Sequence, residues 1–234
     1  MKYKRILLKM SGDLFSDENN SFDYNKLKTL AFVLVEFQKK HEVELAVVVG
    51  AGNIWRYRDN TSSGLPRLTS DKMGMTATVF NAVLLAEKIK EVGGESKVHS
   101  AFPIADLALD YSADAAKASM EKGKIVLLAG GTGYPFCTTD LAAVLRALEL
   151  DCDVVYKATK VDGVYDKDPM KNDDAKRFDT LSYQEALELK LKIMDLTAFG
   201  MACENSLKIM VFDFTKYENL DKVYLDSSLG TLIY

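Results

Sequence analysis

Short, continuous apolar runs alternate with longer stretches in which apolar residues return every three or four positions, a pattern that predicts buried strands joined by covering helices. Ile6-Leu7-Leu8 reads as the first strand, and Lys9-Met10-Ser11-Gly12 as the turn at its carboxyl end. A polar loop, Asp13 to Ser21, leads to a helix marked by Leu27, Leu30, Ala31, Leu34 and Phe37. Leu45 to Val49 is a second buried strand, followed by the glycine turn Gly50-Ala51-Gly52-Asn53. Arg56 to Ser70 is polar, holds three arginines and is too long for an ordinary connection, so it reads as a functional loop or lid.

Ala82, Leu85, Ala86 and Ile89 mark a helix that begins near Asp71 and stops at Gly93-Gly94, with Ser96 to Val98 a third strand. Ser112 is placed to cap a helix running to Lys122, and Ile125 to Ala129 is again a buried strand. Gly130-Gly131-Thr132-Gly133-Tyr134-Pro135-Phe136-Cys137-Thr138-Thr139-Asp140 then leads into a helical pattern from Leu141 to Leu150. Val154 to Lys157 is a strand, Asp162-Gly163 favours a hairpin, and Asp166 to Pro169 reads as a turn. Ser182-x-x-Glu185 is a capping box, Asp195 is placed to cap another helix, and Met210-Val211-Phe212 is a late strand. Strands alternating with helices predict an α/β fold, a largely parallel sheet with helices on both faces.

Composition narrows the function. With 234 residues, 48% of them hydrophobic, the chain can bury the core of one large domain, and no composition shift suggests a second. The net charge of −4 comes from interspersed residues of both signs, without the basic stripe that nucleic acid requires. Three cysteines without a C-x-x-C pair, and only two histidines, fit a reducing cytoplasm and no structural zinc. No apolar run is long enough to cross a bilayer, and the apolar run after Met1-Lys2-Tyr3-Lys4-Arg5 is too short for a signal peptide, so the expected location is cytoplasmic.

The glycines, threonines and helix start of Gly130 to Asp140 form a generic anion cradle, because free N–H groups and the helix dipole favour a phosphate there. A Walker A loop is absent. Both G-x-G turns, Gly50-x-Gly52 and Gly131-x-Gly133, lack the third glycine of a dinucleotide fingerprint. Lys9 and Lys157 each end a strand, and Asp140 opens the helix between those strands, so all three can meet at one sheet edge. Two lysines flanking a moving phosphoryl group, oriented by a carboxylate, would supply the positive charge such a transfer needs. Strand-end lysines that merely carry their charge out to water fit the same spacing.

Further motifs run in one order: Lys9-Met10-Ser11-Gly12, Gly50-Ala51-Gly52-Asn53-x-x-Arg56, Asp71-x-Met73-Gly74-Met75, Thr132 to Asp140, Lys157 to Tyr165, and Gly230-Thr231-Leu232-Ile233. Together, and over essentially the whole chain, they resemble bacterial-type uridylate kinase of the amino acid kinase superfamily. The resemblance implies a three-layer α/β/α sandwich forming a single unit, 1–234, usually a homohexamer and allosteric, that transfers the γ-phosphoryl group of ATP to UMP with Mg²⁺. Lys9, Asp140 and Lys157 match the catalytic positions. Lys9, Met10, Ser11, Gly12, Gly52, Arg56, Thr159, Tyr165 and Asp168 match the ATP side, centred on 9–12 and 157–200. Ala51, Asp71, Thr132, Gly133, Tyr134, Pro135, Phe136, Cys137, Thr138 and Thr139 match the UMP side, mainly 50–140, with Asp71 on the ribose hydroxyls or simply capping its helix. Asp195 matches a further active-site carboxylate, and the metal is implied to ride on the ATP phosphates without a dedicated protein cage.

The chain departs from the pattern in places. Ala51 replaces a usual glycine, which suits a backbone with negative φ; Lys72 and Asp13 replace the more frequent side chains; and 13–22 lacks the glycines of members regulated by GTP. Two other readings stay open on sequence: a carbamate, acetylglutamate or isopentenyl phosphate kinase on the same fold, and a nucleotide-binding regulator without catalysis.

Overall fold

The computed structural model describes residues 3–17 and 22–234; residues 18–21, the far end of the expected loop, lie outside it. In chain order the elements are β1 (Arg5–Met10), α1 (Tyr24–His41), β2 (Glu44–Val49), α2 (Arg67–Glu91), β3 (Ser96–Ser100), β4 (Leu109–Asp110), α3 (Ala113–Glu121), β5 (Ile125–Ala129) and α4 (Thr139–Glu149). The second half adds β6 (Val154–Thr159), β7 (Val164–Tyr165), β8 (Arg177–Phe178), β9 (Thr180–Leu181), α5 (Tyr183–Glu188), α6 (Leu196–Glu204), β10 (Lys208–Asp213), α7 (Asn219–Leu225) and β11 (Thr231–Ile233).

Among the described residues nine strands form one sheet in the order β4-β3-β5-β2-β1-β6-β10-β11-β9, in which β10 and β11 pair antiparallel and the other neighbours pair parallel. The central strands are apolar along their length because both faces are covered. Ile6, Leu8 and Met10 pack under α1, α2 and α7, while Leu7, Ala46, Val48 and Leu128 pack under α3, α4 and α6. That makes the expected three layers.

Two topological facts place the site. The chain leaves β1 toward β2 on one side and later returns to its other side with β6, so the switch point of the sheet lies between β1 and β6, where ligands of open α/β sheets bind at the carboxyl ends. Side chains alternate along a strand, so Lys9 shares the face of Leu7 and points toward α4. Its register partners are Val48 on one neighbour and Lys157 on the other.

Several boundaries differ from those expected. Lys9 and Met10 are the last residues of β1, and the turn begins at Ser11, which caps a 3-10 turn over Gly12–Phe15. α2 starts at Arg67 rather than near Asp71, because Pro66 occupies the cap position and leaves no polar capping residue to read. The expected loop 56–70 therefore holds two 3-10 turns, at 57–59 and 61–63, and yields its end to the helix. Asp162-Gly163 does not close a two-residue hairpin; β7 pairs with β8 across the segment 166–176. The short strands β4, β9 and β11 and the helix α7 were not anticipated, since runs so brief carry no period.

Candidate functional site

At the switch point the three residues singled out by spacing meet. Lys157 Nζ donates to Asp140 Oδ2 at 2.5 Å, and Lys9 Nζ lies 3.0 Å from Oδ1, both lysines and the carboxylate being largely buried. Asp140 sits in the first turn of α4, where the helix dipole adds to its preference for negative charge. Burial works to raise its carboxyl, but the charges of Lys9 and Lys157 outweigh that and hold it below the ordinary carboxylate value. Burial and the adjacent Lys9 pull the Lys157 ammonium below the ordinary lysine value, against the attraction of Asp140. Two cations share one anion, leaving an excess of positive charge for a phosphate.

A cleft opens on each side of this cluster. The first, of about 450 Å³, is lined by Lys9, Met10, Ser11, Ala51, Gly52, Arg56, Asp71, Thr132, Tyr134, Cys137, Thr138, Thr139, Asp140 and Asp195. The second, of about 530 Å³, is lined by Lys157, Thr159, Gly163, Tyr165, Asp168 and the segment 189–193. Lys9 and Asp140 face the first cleft and Lys157 the second, so the charged cluster is their common wall.

The wall of the first cleft is built by close backbone approach. Gly130 has φ +76°, and a Cβ there would fall 2.9 Å from the Phe102 ring and 3.0 Å from Ala101 N. Gly131 follows with φ +61°, and its carbonyl accepts from buried Arg146 at 3.3 Å, which accounts for the paired glycines. Thr132 Oγ1 accepts the Tyr134 N–H at 3.1 Å, folding the loop on itself. Thr138 caps α4 by accepting the Leu141 N–H at 3.0 Å. The same hydroxyl donates to Asp195 at 2.5 Å, and Asp195 caps α6 through the Ala198 N–H at 3.0 Å. The loop of the first cleft is thereby tied to the helix that follows the 189–193 wall of the second.

Asp71 is not a helix cap: it lies inside α2 and accepts the Phe136 N–H at 2.9 Å. Gly52 and Arg56, expected with ATP, stand in the first cleft beside Asp71, as do Met10 and Ser11. Gly133, Pro135 and Phe136 belong to the loop without lining the cleft, and Phe136 is 66% exposed. Gly12 packs behind the Gly50 turn. Ala51 lies outside the left-handed region, the condition under which its methyl is tolerated. In the second cleft Thr159 Oγ1 donates to Val161 O at 2.6 Å, Tyr165 OH donates to Asp162 at 2.7 Å, and Asp168 accepts the Met170 N–H at 3.0 Å.

Sequence reasoning missed Trp55, Tyr57, Arg67, Ser70 and Thr78 among the lining residues. It also missed Asn81, fully buried, which donates to Gly50 O at 2.9 Å and pairs with the Asn53 amide. Thr78 accepts the Gly130 N–H at 2.8 Å. A signal existed: Thr78, Asn81 and Leu85 repeat at helical spacing, so two polar residues fall on the buried face of α2.

The cluster carries a pH signature. A carboxyl whose folded pKa is depressed contributes stability that is present above its unfolded value and is lost as pH falls through the folded one. Asp140→Asn leaves two buried lysines uncompensated and is expected to lower the unfolding free energy by roughly 3 kcal/mol at neutral pH. That gap should hold down to about pH 5 and shrink below about pH 4, where the carboxyl of the unfolded chain takes up its proton while the folded one, held lower by its lysines, is still charged. Denaturant titrations at stepped pH measure it, and a gap that stays constant through pH 3 would contradict the charge-paired carboxylate.

Comparison with known proteins adds an independent line. The model of the amino acid kinase family matches residues 4–213. The chain is 44% identical over 234 residues to uridylate kinase from Rickettsia bellii (strain RML369-C), covering 100% of this chain and 98% of that one. It is 43% identical to uridylate kinase from Rickettsia conorii (strain ATCC VR-613 / Malish 7), covering 100% and 96%. The fold is similar to the crystal structure of UMP kinase from Bacillus anthracis, with TM-score 0.95, 31% identity and coverage of 100% and 96%. UMP kinase from Ureaplasma parvum gives TM-score 0.90 and 31% identity, covering 100% and 99%.

Proposed function

The chain belongs to the amino acid kinase family and, within it, to the uridylate kinases, and from that premise we propose that it transfers the γ-phosphoryl group of ATP to UMP, giving UDP and ADP. The observation that carries the reading is the Lys9–Asp140–Lys157 cluster standing as the common wall of two clefts. A donor in one cleft and an acceptor in the other would bring their phosphates together at the two ammonium groups.

UMP is assigned to the first cleft. Its ribose meets Asp71, its base lies along Thr132 to Thr139, and its phosphate lies toward Arg56, whose fork suits phosphate oxygens. ATP is assigned to the second, with adenosine near Thr159, Tyr165 and Asp168 and the γ-phosphate reaching back between Lys157 and Lys9. The residues 9–12 thus serve both nucleotides, and Gly52 and Arg56 act from the acceptor side. A phosphate oxygen of UMP attacks the γ-phosphorus, a new P–O bond forms, and the bond to the β-phosphate oxygen breaks in line. Lys9 and Lys157 hold the equatorial oxygens as charge spreads over them, and Asp140 keeps both ammonium groups aimed, so catalysis is positioning and electrostatics without a covalent step.

Magnesium fits this arrangement as a companion of ATP. Asp140 is enclosed by its lysines, while Asp195, which holds Thr138 and the start of α6 and is near enough to bias Lys157 electrostatically, would be a carboxylate able to attract an ion carried on the phosphates. The ion supplies charge neutralisation on the β- and γ-phosphates when bound. No helix among the described residues is long and apolar enough to cross a membrane, consistent with a cytoplasmic enzyme of pyrimidine nucleotide synthesis. For the implied homohexamer, α1 and α2 offer an exposed apolar surface in Tyr24, Phe32 and Phe80.

A coupled assay with UMP, CMP, dCMP and AMP, extended to carbamate, acetylglutamate and isopentenyl phosphate, tests the assignment. UMP is expected to be phosphorylated far faster than the others; CMP turned over as efficiently as UMP would refute it, and ATP and UMP binding without UDP would identify a regulator.

A further inference from the structure

Side chains from both walls of the first cleft meet on one guanidinium. Tyr57 comes from the 3-10 turn beyond the β2 glycine turn, and Phe136 from the loop between β5 and α4. Arg67, the first residue of α2, lies between them, its guanidinium carbon 4.4 Å from the Tyr57 ring centre and 5.5 Å from that of Phe136. Its Nε donates to both carboxylate oxygens of Asp71, at 2.8 and 2.7 Å. Asp71 in turn accepts the Phe136 N–H at 2.9 Å, which closes the circuit.

Phe136 shows why the circuit is needed. Its φ is +66°, a conformation that costs a side-chain-bearing residue about 1–2 kcal/mol, and its ring is mostly exposed. Core packing therefore holds it only weakly. What holds it are the hydrogen bond to Asp71 and the guanidinium of Arg67, both from the opposite wall.

We propose that Arg67 is a positioning residue for the nucleoside monophosphate acceptor. It presents the Asp71 carboxylate to the ribose, and with Tyr57 and Phe136 it clasps the acceptor loop across the cleft. The inference rests on the first cleft being the acceptor site. Charge gives a further reason for the residue: an incoming phosphate dianion meets the carboxylates of Asp71 and Asp140 in that cleft, and Arg67 offsets the repulsion from the first as the lysines offset that from the second. Lysine could match the charge, but it has no flat guanidinium that can lie against two rings while its Nε–H bonds a carboxylate.

The chain has one tryptophan, Trp55, which lines the same cleft and donates to Ser70 Oγ at 2.9 Å, so its fluorescence is a natural reporter of acceptor binding. UMP alone is titrated against wild type, Arg67→Met and Arg67→Lys, ATP binding is measured by calorimetry, and the melting temperature is recorded. Losing a charge-assisted hydrogen bond and two ring contacts is expected to weaken UMP binding by about tenfold to a hundredfold in Arg67→Met. Arg67→Lys should recover only part of that loss, while ATP affinity and melting temperature stay at the wild-type values. UMP affinity within about twofold of wild type in both variants, or ATP affinity falling in step with it, would overturn the proposal. Wild type that gives neither a fluorescence change nor heat with UMP would overturn the acceptor reading itself, and this inference with it. Should Arg67→Met fail to fold, Arg67→Lys decides alone, with UMP binding several-fold weaker expected.

Discussion

Lys9→Met is expected to lower turnover by about 10²- to 10³-fold while melting temperature and circular dichroism remain close to wild type. Methionine keeps the length and the apolar stem, so β1 keeps its packing, and Asp140 keeps Lys157 as a partner at 2.5 Å. What disappears is one of the two ammonium groups facing the clefts, whose effect is largest when the moving phosphoryl group carries its charge on the equatorial oxygens. The loss should therefore fall on kcat more than on the KM of either nucleotide. Lys157→Met should behave alike, and the double variant should lose less than the product of the single losses, because the two groups act on one transition state. Steady-state kinetics under saturating ATP and UMP measure all three. Turnover within about tenfold of wild type in both single variants would remove the lysines from the mechanism.

Gly12→Ala is expected to damage both stability and catalysis. A Cβ at Gly12 would lie 2.5 Å from the carbonyl oxygen of Gly50 and 2.2 Å from Asn53 Oδ1. The carbonyl belongs to backbone already bonded to buried Asn81, so the turn after β1 must move away from the turn after β2. Overpacking of that kind costs roughly 1–3 kcal/mol. The displaced parts are also those that carry Ser11 and Arg56 into the first cleft, and a shift of about 1 Å in such groups can cost roughly a hundredfold in rate. Gly52→Ala is the informative contrast: the three atoms nearest its Cβ all belong to the far end of the Arg56 side chain, which can swing aside. It should weaken nucleotide binding with little loss of stability. Calorimetric melting and the coupled assay, run on both variants, separate the effects; Gly12→Ala with wild-type melting and wild-type rate would refute the close-approach argument.

The central architecture was legible because it is written in patterns that act locally. Continuous apolar runs such as Leu45 to Val49 have no stable place except a strand buried on both faces, and the helical spacing from Leu27 to Phe37 fits only a covering helix. Capping residues fixed several helix starts for the same reason, with Ser112, Ser182 and Asp195 all acting as expected. Where the start is Pro66, with no side-chain cap, the reading placed α2 several residues late, and only the alternative of Asp71 as a helix cap falls with it. The Asp-Gly pair after Val161 also misled, because β7 found its partner at Arg177–Phe178, beyond the reach of turn chemistry.

The sequence by itself determined the α/β class, the order of the main strands and helices, and a short set of residues able to handle phosphate, because strand burial, helix period and strand-end chemistry are properties of neighbouring residues. Only the tertiary structure decided that Lys9 and Lys157 stand in register on adjacent strands with one carboxylate between them, which depends on β6 returning beside β1. It alone decided that Arg56 belongs to the first cleft, that Thr138 bonds Asp195, and that Arg67 joins Tyr57, Asp71 and Phe136. Those contacts join residues far apart in the chain, and their geometry follows from how the sheet is ordered and how the helices pack on it, which no local pattern encodes.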